Sequence, residues 1–168
     1  DAFRRDITIN ALFYDIDTFS VIDHVGGLAD ISRKRVRVIG DPATRYTEDP
    51  VRMWRVLRHA ARQGFSVEEA SADAIRAHGQ LIRDCPGARL YEELNKDLSS
   101  GRSSGTLSLL KEYGLLSMLL GELGARLEED ADLAGEFMRL MEAHDRMMDS
   151  GAPFDAPVAY SLLLWPLA

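Results

Sequence analysis

The chain has 168 residues, enough for one ordinary domain or two small ones, and its 46% hydrophobic and 28% charged residues are those of a soluble globular protein. No apolar run approaches the ~20 residues that span a bilayer, and the opening DAFRRD has neither an initiator Met nor a charged-then-apolar signal pattern, so the chain reads as a fragment. The net charge of −7, taken in bulk, weighs against a nucleic-acid binder, but the charge is uneven: residues 1–65 hold ten Arg and one Lys against eight Asp and one Glu, and the acidic excess lies entirely after them.

Residues 1–46 read as extended. Ile7, Ile9, Ala11 and Phe13 alternate with Thr8, Asn10, Leu12 and Tyr14, a period-two strand signal. On such a strand Arg4, Asp6, Thr8 and Asn10 share one face and Arg5 takes the other. That polar face could bind a sugar and phosphates, or be a solvent-facing edge. Phe19, Val21 and Ile22 form a second strand after the Asp15-Ile16-Asp17-Thr18 turn, giving a hairpin that Gly26-Gly27 breaks. The glycine spacing matches neither a phosphate loop nor a dinucleotide fingerprint. Arg35 to Ile39 alternates again and stops at Gly40-Asp41-Pro42.

From Thr47 the pattern is helical. Thr47, Asp49 and Pro50 are start signals and Gly64 is a stop. On a helix from residue 48, Arg52, Arg55, Arg58 and Arg62 fall within an arc of roughly 120°, with Glu48 and His59 projecting into it. Met53, Val56, Leu57, Ala60 and Ala61 take the opposite, buried side. Only Glu48 stands at i−4 to pair with one arginine, so the guanidinium groups repel unless something anionic sits among them. A nucleoside triphosphate or an RNA backbone would serve. The plain alternative is a solvated Arg-rich face with Glu48–Arg52 as a surface pair worth a few tenths of a kcal/mol. Further helices are expected at about 67–78, 87–99, 103–113, 130–149 and 156–167, with Gly121 to Gly124 among the separators. The four histidines lack metal-ligand spacing, and Trp54, Trp165, Met138, Met141, Met147 and Met148 read as core. The lone Cys85 cannot form an intramolecular disulfide, which fits a reducing, cytoplasmic setting.

Three segments, RRDITINA (Arg4 to Ala11), DHVGGLADI (Asp23 to Ile31) and GDPATRYTEDPVRMWRVLRHAARQGF (Gly40 to Phe65), resemble successive motifs of the class II nucleotidyltransferases, in order and in spacing. That family holds bacterial poly(A) polymerases and CCA-adding tRNA nucleotidyltransferases. GARLYEELNKDL (Gly87 to Leu98) extends the likeness to about residue 100. The resemblance implies a mainly α fold: strands ending an α+β head domain (1–46), a helical nucleotide-selecting neck (47–100) and a helical, RNA-binding body (101–168), truncated at its end. It implies attack of an RNA 3′-hydroxyl on the α-phosphate of ATP with release of pyrophosphate, assisted by Mg2+. The partners it implies are ATP and an mRNA or tRNA 3′ end, with no DNA and no membrane.

Carried over residue by residue, the resemblance gives Arg5 and Asp6 the ribose and phosphates, with Asp6 also a candidate catalytic carboxylate; Asn10 joins them as a nucleotide-binding candidate. Glu48, Asp49 and Arg52 form the EDxxR motif, whose Asp and Arg present edges to the base. Arg55 and Arg58 follow on the nucleotide face, and Gly26-Gly27 acts as the hinge between head and neck. The family's paired metal-binding aspartates and glycine-rich loop precede RRD and nothing here supplies them, so no metal ligand is expected in this chain, and the chain alone should not catalyse. His59 stands where the family usually has Phe. Asp-His-Val-Gly-Gly and Ala-Arg-Leu-Tyr-Glu-Glu look like poly(A) polymerases; CCA-adding enzymes more often have a proline after the first of those aspartates. CCA addition is the alternative, and a helical RNA-binding module without catalysis is the alternative of another class.

Overall fold

The computed structural model describes residues 1–167 and divides into two units, Asp1–Leu81 and Ile82–Ala168. In the first unit, 3-10 turns at Ala2–Arg4 and Thr8–Asn10 flank Ile7, which makes a single antiparallel bridge to Val38. β1 (Leu12–Asp15) pairs antiparallel with β2 (Ser20–Asp23), Leu12 opposite Asp23 and Asp15 opposite Ser20. The hairpin is as expected. The long alternating strand is not, because Thr8–Asn10 is a turn. Helix α1 (Gly27–Ser32) lies against it, and a Cβ on Gly27 would stand 2.5 Å from the Thr8 carbonyl oxygen. That approach occupies the space a ladder partner needs. The expected polar face therefore dissolves: Thr8 is fully buried and Asn10 exposed.

β3 (Arg35–Val36) runs parallel to β4 (Ser66–Val67), with α2 (Pro42–Glu48) and α3 (Val51–Gln63) between them and α4 (Glu69–His78) after. So residues 1–46 are not extended throughout: α1 lies within them, and α2 begins there. Nor does one helix start at residue 48. Asp49 is held extended at φ −150°, ψ 94° by the proline that follows, which ends α2, and Pro50 then opens α3. α3 stops at Gly64 in the left-handed region, φ 62°, as its glycine predicts. Its apolar side is buried as expected at Met53, Val56, Leu57 and Ala60, and half-buried at Ala61. Such side chains contribute about 1.5–3 kcal/mol each when fully buried. Val36, Tyr46, Val51, Trp54 and Ile75 are buried in the same unit.

The second unit is helical among its described residues: α5 (Gly87–Leu98), α6 (Ser103–Glu112), α7 (Leu116–Leu120), α8 (Glu122–Glu129), α9 (Ala131–Asp149) and α10 (Ala156–Leu164). α7 and α8 occupy a stretch the sequence offers mainly as a separator. Gly124 sits inside α8, where a Cβ would meet Leu116 O at 2.5 Å; it lets α8 cross α7 closely rather than ending a helix. Leu107, Leu110, Leu116, Leu123, Leu127, Phe137 and Met141 are buried. α5 and α10 are joined by the stacked rings of Tyr91 and Tyr160, 5.9 Å between centroids, and the Tyr160 hydroxyl donates to Asn95 Oδ1 at 3.1 Å. Trp165 and Met147 depart from the expected core, at 41% and 39% exposed. α10 is apolar nearly all round but buries only Ala159 and Leu163, so its remaining side chains and the turn beyond it stay on the surface. Among the described residues no helix is long and apolar enough to cross a membrane.

Candidate nucleotide-binding site

Asp6 is an anion set among the α3 arginines. Its Oδ1 accepts from Arg52 Nε at 2.9 Å and its Oδ2 from Arg55 Nη1 at 3.0 Å. Arg52 Nη1 also donates to the Arg45 carbonyl at 2.9 Å and to Glu48 Oε2 at 3.2 Å, and Arg45 Nη1 donates to the same Glu48 oxygen at 3.0 Å. Burial by itself raises the Asp6 carboxyl, but the hydrogen bonds and charges of Arg55 and Arg52 outweigh it and hold the group below the usual carboxylate range. Asp6 therefore stays ionised near neutral pH. Periodicity could place only Glu48 beside Arg52, because Asp6 lies 46 residues away in sequence.

Arg58 is 5% exposed, so the stripe is not a solvated face. Arg52, Arg55, His59 and Arg62 are half-buried. The His59 Nε2 stands 3.2 Å from Asn10 Nδ2. Burial, then repulsion from Arg58 and Arg62 and least from Arg55, pushes the imidazole below its ordinary value against the opposing pull of Asp6. A neutral ring with its proton on Nδ1 accepts from the Asn10 amide.

Arg5 is set apart from this cluster. Its exposed side chain bonds Asp1 at 3.2 Å, and only its backbone carbonyl joins the network, accepting from Arg45 Nη2 at 3.1 Å. Asp49 is half-buried between α2 and α3, and the Glu48 side chain is 52% exposed. The structure thus gathers Asp6, Glu48, Arg52 and Arg55, pairs Asn10 with His59, and adds Arg45, which neither periodicity nor the resemblance singles out.

Gly26 and Gly27 lie in a clamp. The Asp23 carboxylate accepts from the backbone N–H of Val25, Gly26, Gly27 and Leu28 at 2.8–3.0 Å; these bonds, the one from Leu28 largest, bring it to about 2. Gly26 is left-handed at φ 84°. Beneath them the buried Asp30 accepts from Thr8 Oγ1 at 2.7 Å, from Arg35 Nε, and from Arg37 Nε at 2.9 Å, while Arg37 Nη2 donates to the Val25 carbonyl at 2.8 Å. This ion cluster ties α1 to the Thr8 turn and to β3.

The magnesium implied by the resemblance does not fit the residues present. Both Asp6 oxygens face guanidinium groups, and among the described residues no three of His, Cys, Asp or Glu stand together as a cation site. What the arrangement offers is oriented guanidinium and amide donors, suited to phosphate oxygens and to the edge of a base.

Two family models match: the "Poly A polymerase head domain" over residues 1–37, and the "Probable RNA and SrmB- binding site of polymerase A" over residues 64–127. Poly(A) polymerase I of Salmonella typhi is 42% identical over 136 residues, 81% of this chain and 29% of that protein. Poly(A) polymerase I of Haemophilus influenzae is 41% identical, over 82% of this chain and 30% of that protein. A CCA-adding enzyme of Bacillus pumilus is 36% identical, over 77% and 32%. The chain thus spans under a third of the length of these relatives. Among solved structures, the Bacillus stearothermophilus CCA-adding enzyme in complex with CTP superposes with a TM-score of 0.78 at 28% identity, covering 99% of this chain and 39% of that one. A tRNA nucleotidyltransferase complexed with a primer tRNA and an incoming ATP analog shares the fold at a TM-score of 0.76 and 24% identity, covering 99% and 48%. The ordered motifs, the mainly helical fold and these relatives agree, and the chain belongs to the nucleotidyltransferase family of bacterial poly(A) polymerases and CCA-adding enzymes.

Proposed function

We propose that the full-length protein adds AMP from ATP to RNA 3′ ends, releasing pyrophosphate, and that this chain supplies the surface that holds and selects the nucleotide. The carrying observation is the Asp6–Arg52–Arg55 cluster with Glu48: two guanidinium groups fixed by carboxylates before any ligand arrives. A guanidinium already fixed loses little freedom on binding, so it discriminates by geometry. In this reading Asp49 and Arg52 meet the base edge, and Glu48 orients Arg52. Arg55 and Arg58 take phosphate charge, while Arg5, Asp6 and Asn10 face the ribose and phosphates. Gly26-Gly27 is the pivot between a head part (1–46) and a neck (47–100), and residues 101–168 form the RNA-binding body. Magnesium would neutralise charge on the transferring phosphoryl group, held by residues outside this chain. The single cysteine of the sequence fits a cytoplasmic setting.

The nearness of poly(A) polymerase I relatives at 41–42% identity favours poly(A) addition. The CCA-adding relative and the CTP-bound neighbour support CCA addition as the second reading. Full-length protein incubated with tRNA lacking its CCA end, with CTP and ATP, separates them: poly(A) addition predicts A without C, and incorporation of C would overturn it. The selecting role is tested by Arg52→Ala and Asp49→Ala. Each is expected to reduce the ATP preference about tenfold or more, since one good base-edge pair is worth about 1–3 kcal/mol. Retained selectivity would sink the assignment.

A further inference from the structure

Arg45 lies in α2, inside the Gly40–Phe65 segment but with no role assigned to it above, and it contacts three parts of the site. Its Nη2 donates to the Arg5 carbonyl at 3.1 Å, its Nη1 to Glu48 Oε2 at 3.0 Å, and its own carbonyl accepts from Arg52 Nη1 at 2.9 Å. The side chain is 17% exposed, less than a surface ion pair would be. Its course is fixed from below. Gly40, at φ 89°, turns its bare side to the Arg45 methylenes, where a Cβ would stand 3.7 Å from Cγ and Cδ. Asp41 caps the start of α2 through the Thr44 N–H and hydroxyl, and the neighbouring Tyr46 is fully buried.

We infer that Arg45 is a positioning residue for nucleotide selection: it bolts the Arg5–Asp6 backbone to the Glu48–Arg52 pair, so that Arg52 presents one fixed edge. The inference rests on the reading of Arg52 as a base-reading group. Its physical basis is the fork of the guanidinium, which can serve a carbonyl and a carboxylate at once; a lysine ammonium is a compact point charge on a flexible stem and holds one or the other. Without the fork, Arg52 keeps its bond to Asp6, so the site remains assembled. Glu48, however, loses one of its two guanidinium partners, and the Asp6 and Glu48 anchors of Arg52 can shift relative to each other. Misplacement of this kind weakens discrimination.

The test uses the full-length protein with R45A, R45K, R52A and the R45A/R52A double variant, measuring kcat and KM for ATP and for CTP together with melting temperature. R45A and R45K are expected to lower the ratio of kcat/KM for ATP over CTP about tenfold, with the loss falling on KM for ATP more than on kcat. In the R52A background, R45A should add nothing to the loss of selectivity, because the edge it orients is gone. A parental ratio in R45K, or losses that multiply in the double variant, would overturn the inference. If R45A melts too low to assay, R45K carries the test alone. If R52A itself keeps the parental ratio, the base-reading assignment fails and the inference falls with it. If R52A loses selectivity while R45K does not, only the role of Arg45 fails.

Discussion

His59 stands where the resemblance leads one to expect a phenylalanine, and an imidazole brings a titratable group to that position. Its ring is pushed below 6.5 by burial and by the arginines around it. The unfolded chain therefore takes up a proton before the folded one as pH falls. Whatever stability the neutral ring contributes is complete above pH 6.5 and drains as pH drops from there toward the folded value. His59→Phe removes that proton uptake, so its urea midpoint should vary less between about pH 5 and 7 than the parent's. Identical slopes would mean that the ring titrates normally in the folded protein. Asp6 behaves with the usual carboxylate sign: its stabilisation is present above pH 3.8 and is lost as pH falls through its lowered folded value. Gly27 makes a simpler prediction. The Cβ of an alanine there meets the Thr8 carbonyl oxygen at 2.5 Å, a backbone atom that cannot swing away, and should cost roughly 1–3 kcal/mol in denaturant unfolding. At this scale the sequence told residue type and little about partner. The α3 arginines were legible as a stripe, but the carboxylate that holds Arg52 and Arg55 was not, since Asp6 follows no helical spacing with them.

Among the elements, helix starts divide by where the capping group comes from. Asp41, Asp130 and Asp155 each sit one residue before a helix and accept from the N–H three residues on, a local cap. α6 begins after Arg102, which gives no side-chain cap. Its start is held by Asp145 of α9, which accepts from Ser103 N at 2.9 Å, Ser104 N at 2.8 Å and Ser103 Oγ at 2.7 Å across 41 or 42 residues. Asp145 is thus the cap of α6, supplied from another helix. Asp145→Ala should destabilise the protein by about 2–3 kcal/mol, because it strips one buried and one part-buried N–H group of an ionic acceptor, and Asp145→Asn should recover part of that. A melting temperature unchanged by Asp145→Ala would remove the cap from the account. α7 and α8 were hidden for a related reason. A glycine in sequence looks like a stop, and only the crossing of two helices explains Gly124 inside one.

For the whole molecule, the 168-residue chain carries oriented donors without a cation site among its described residues. Purified as it stands and supplied with ATP, Mg2+ and an RNA primer, it is expected to incorporate no AMP; measurable incorporation would show that these residues can assemble a catalytic centre unaided. The sequence by itself determined the family, the mainly helical class, the stop at Gly64 and the arginine face of α3. These depend on short-range rules: residue spacing along a helix, the backbone freedom of glycine, and motifs read in order. Tertiary structure alone decided that residues 8–10 turn where alternation predicts a strand, that Asp6 sits between Arg52 and Arg55, and that Arg45 joins two motifs 40 residues apart. Each of those outcomes was set by which distant group came close enough to satisfy a buried donor or to occupy the space of a missing side chain, and separation along the chain carries no record of that.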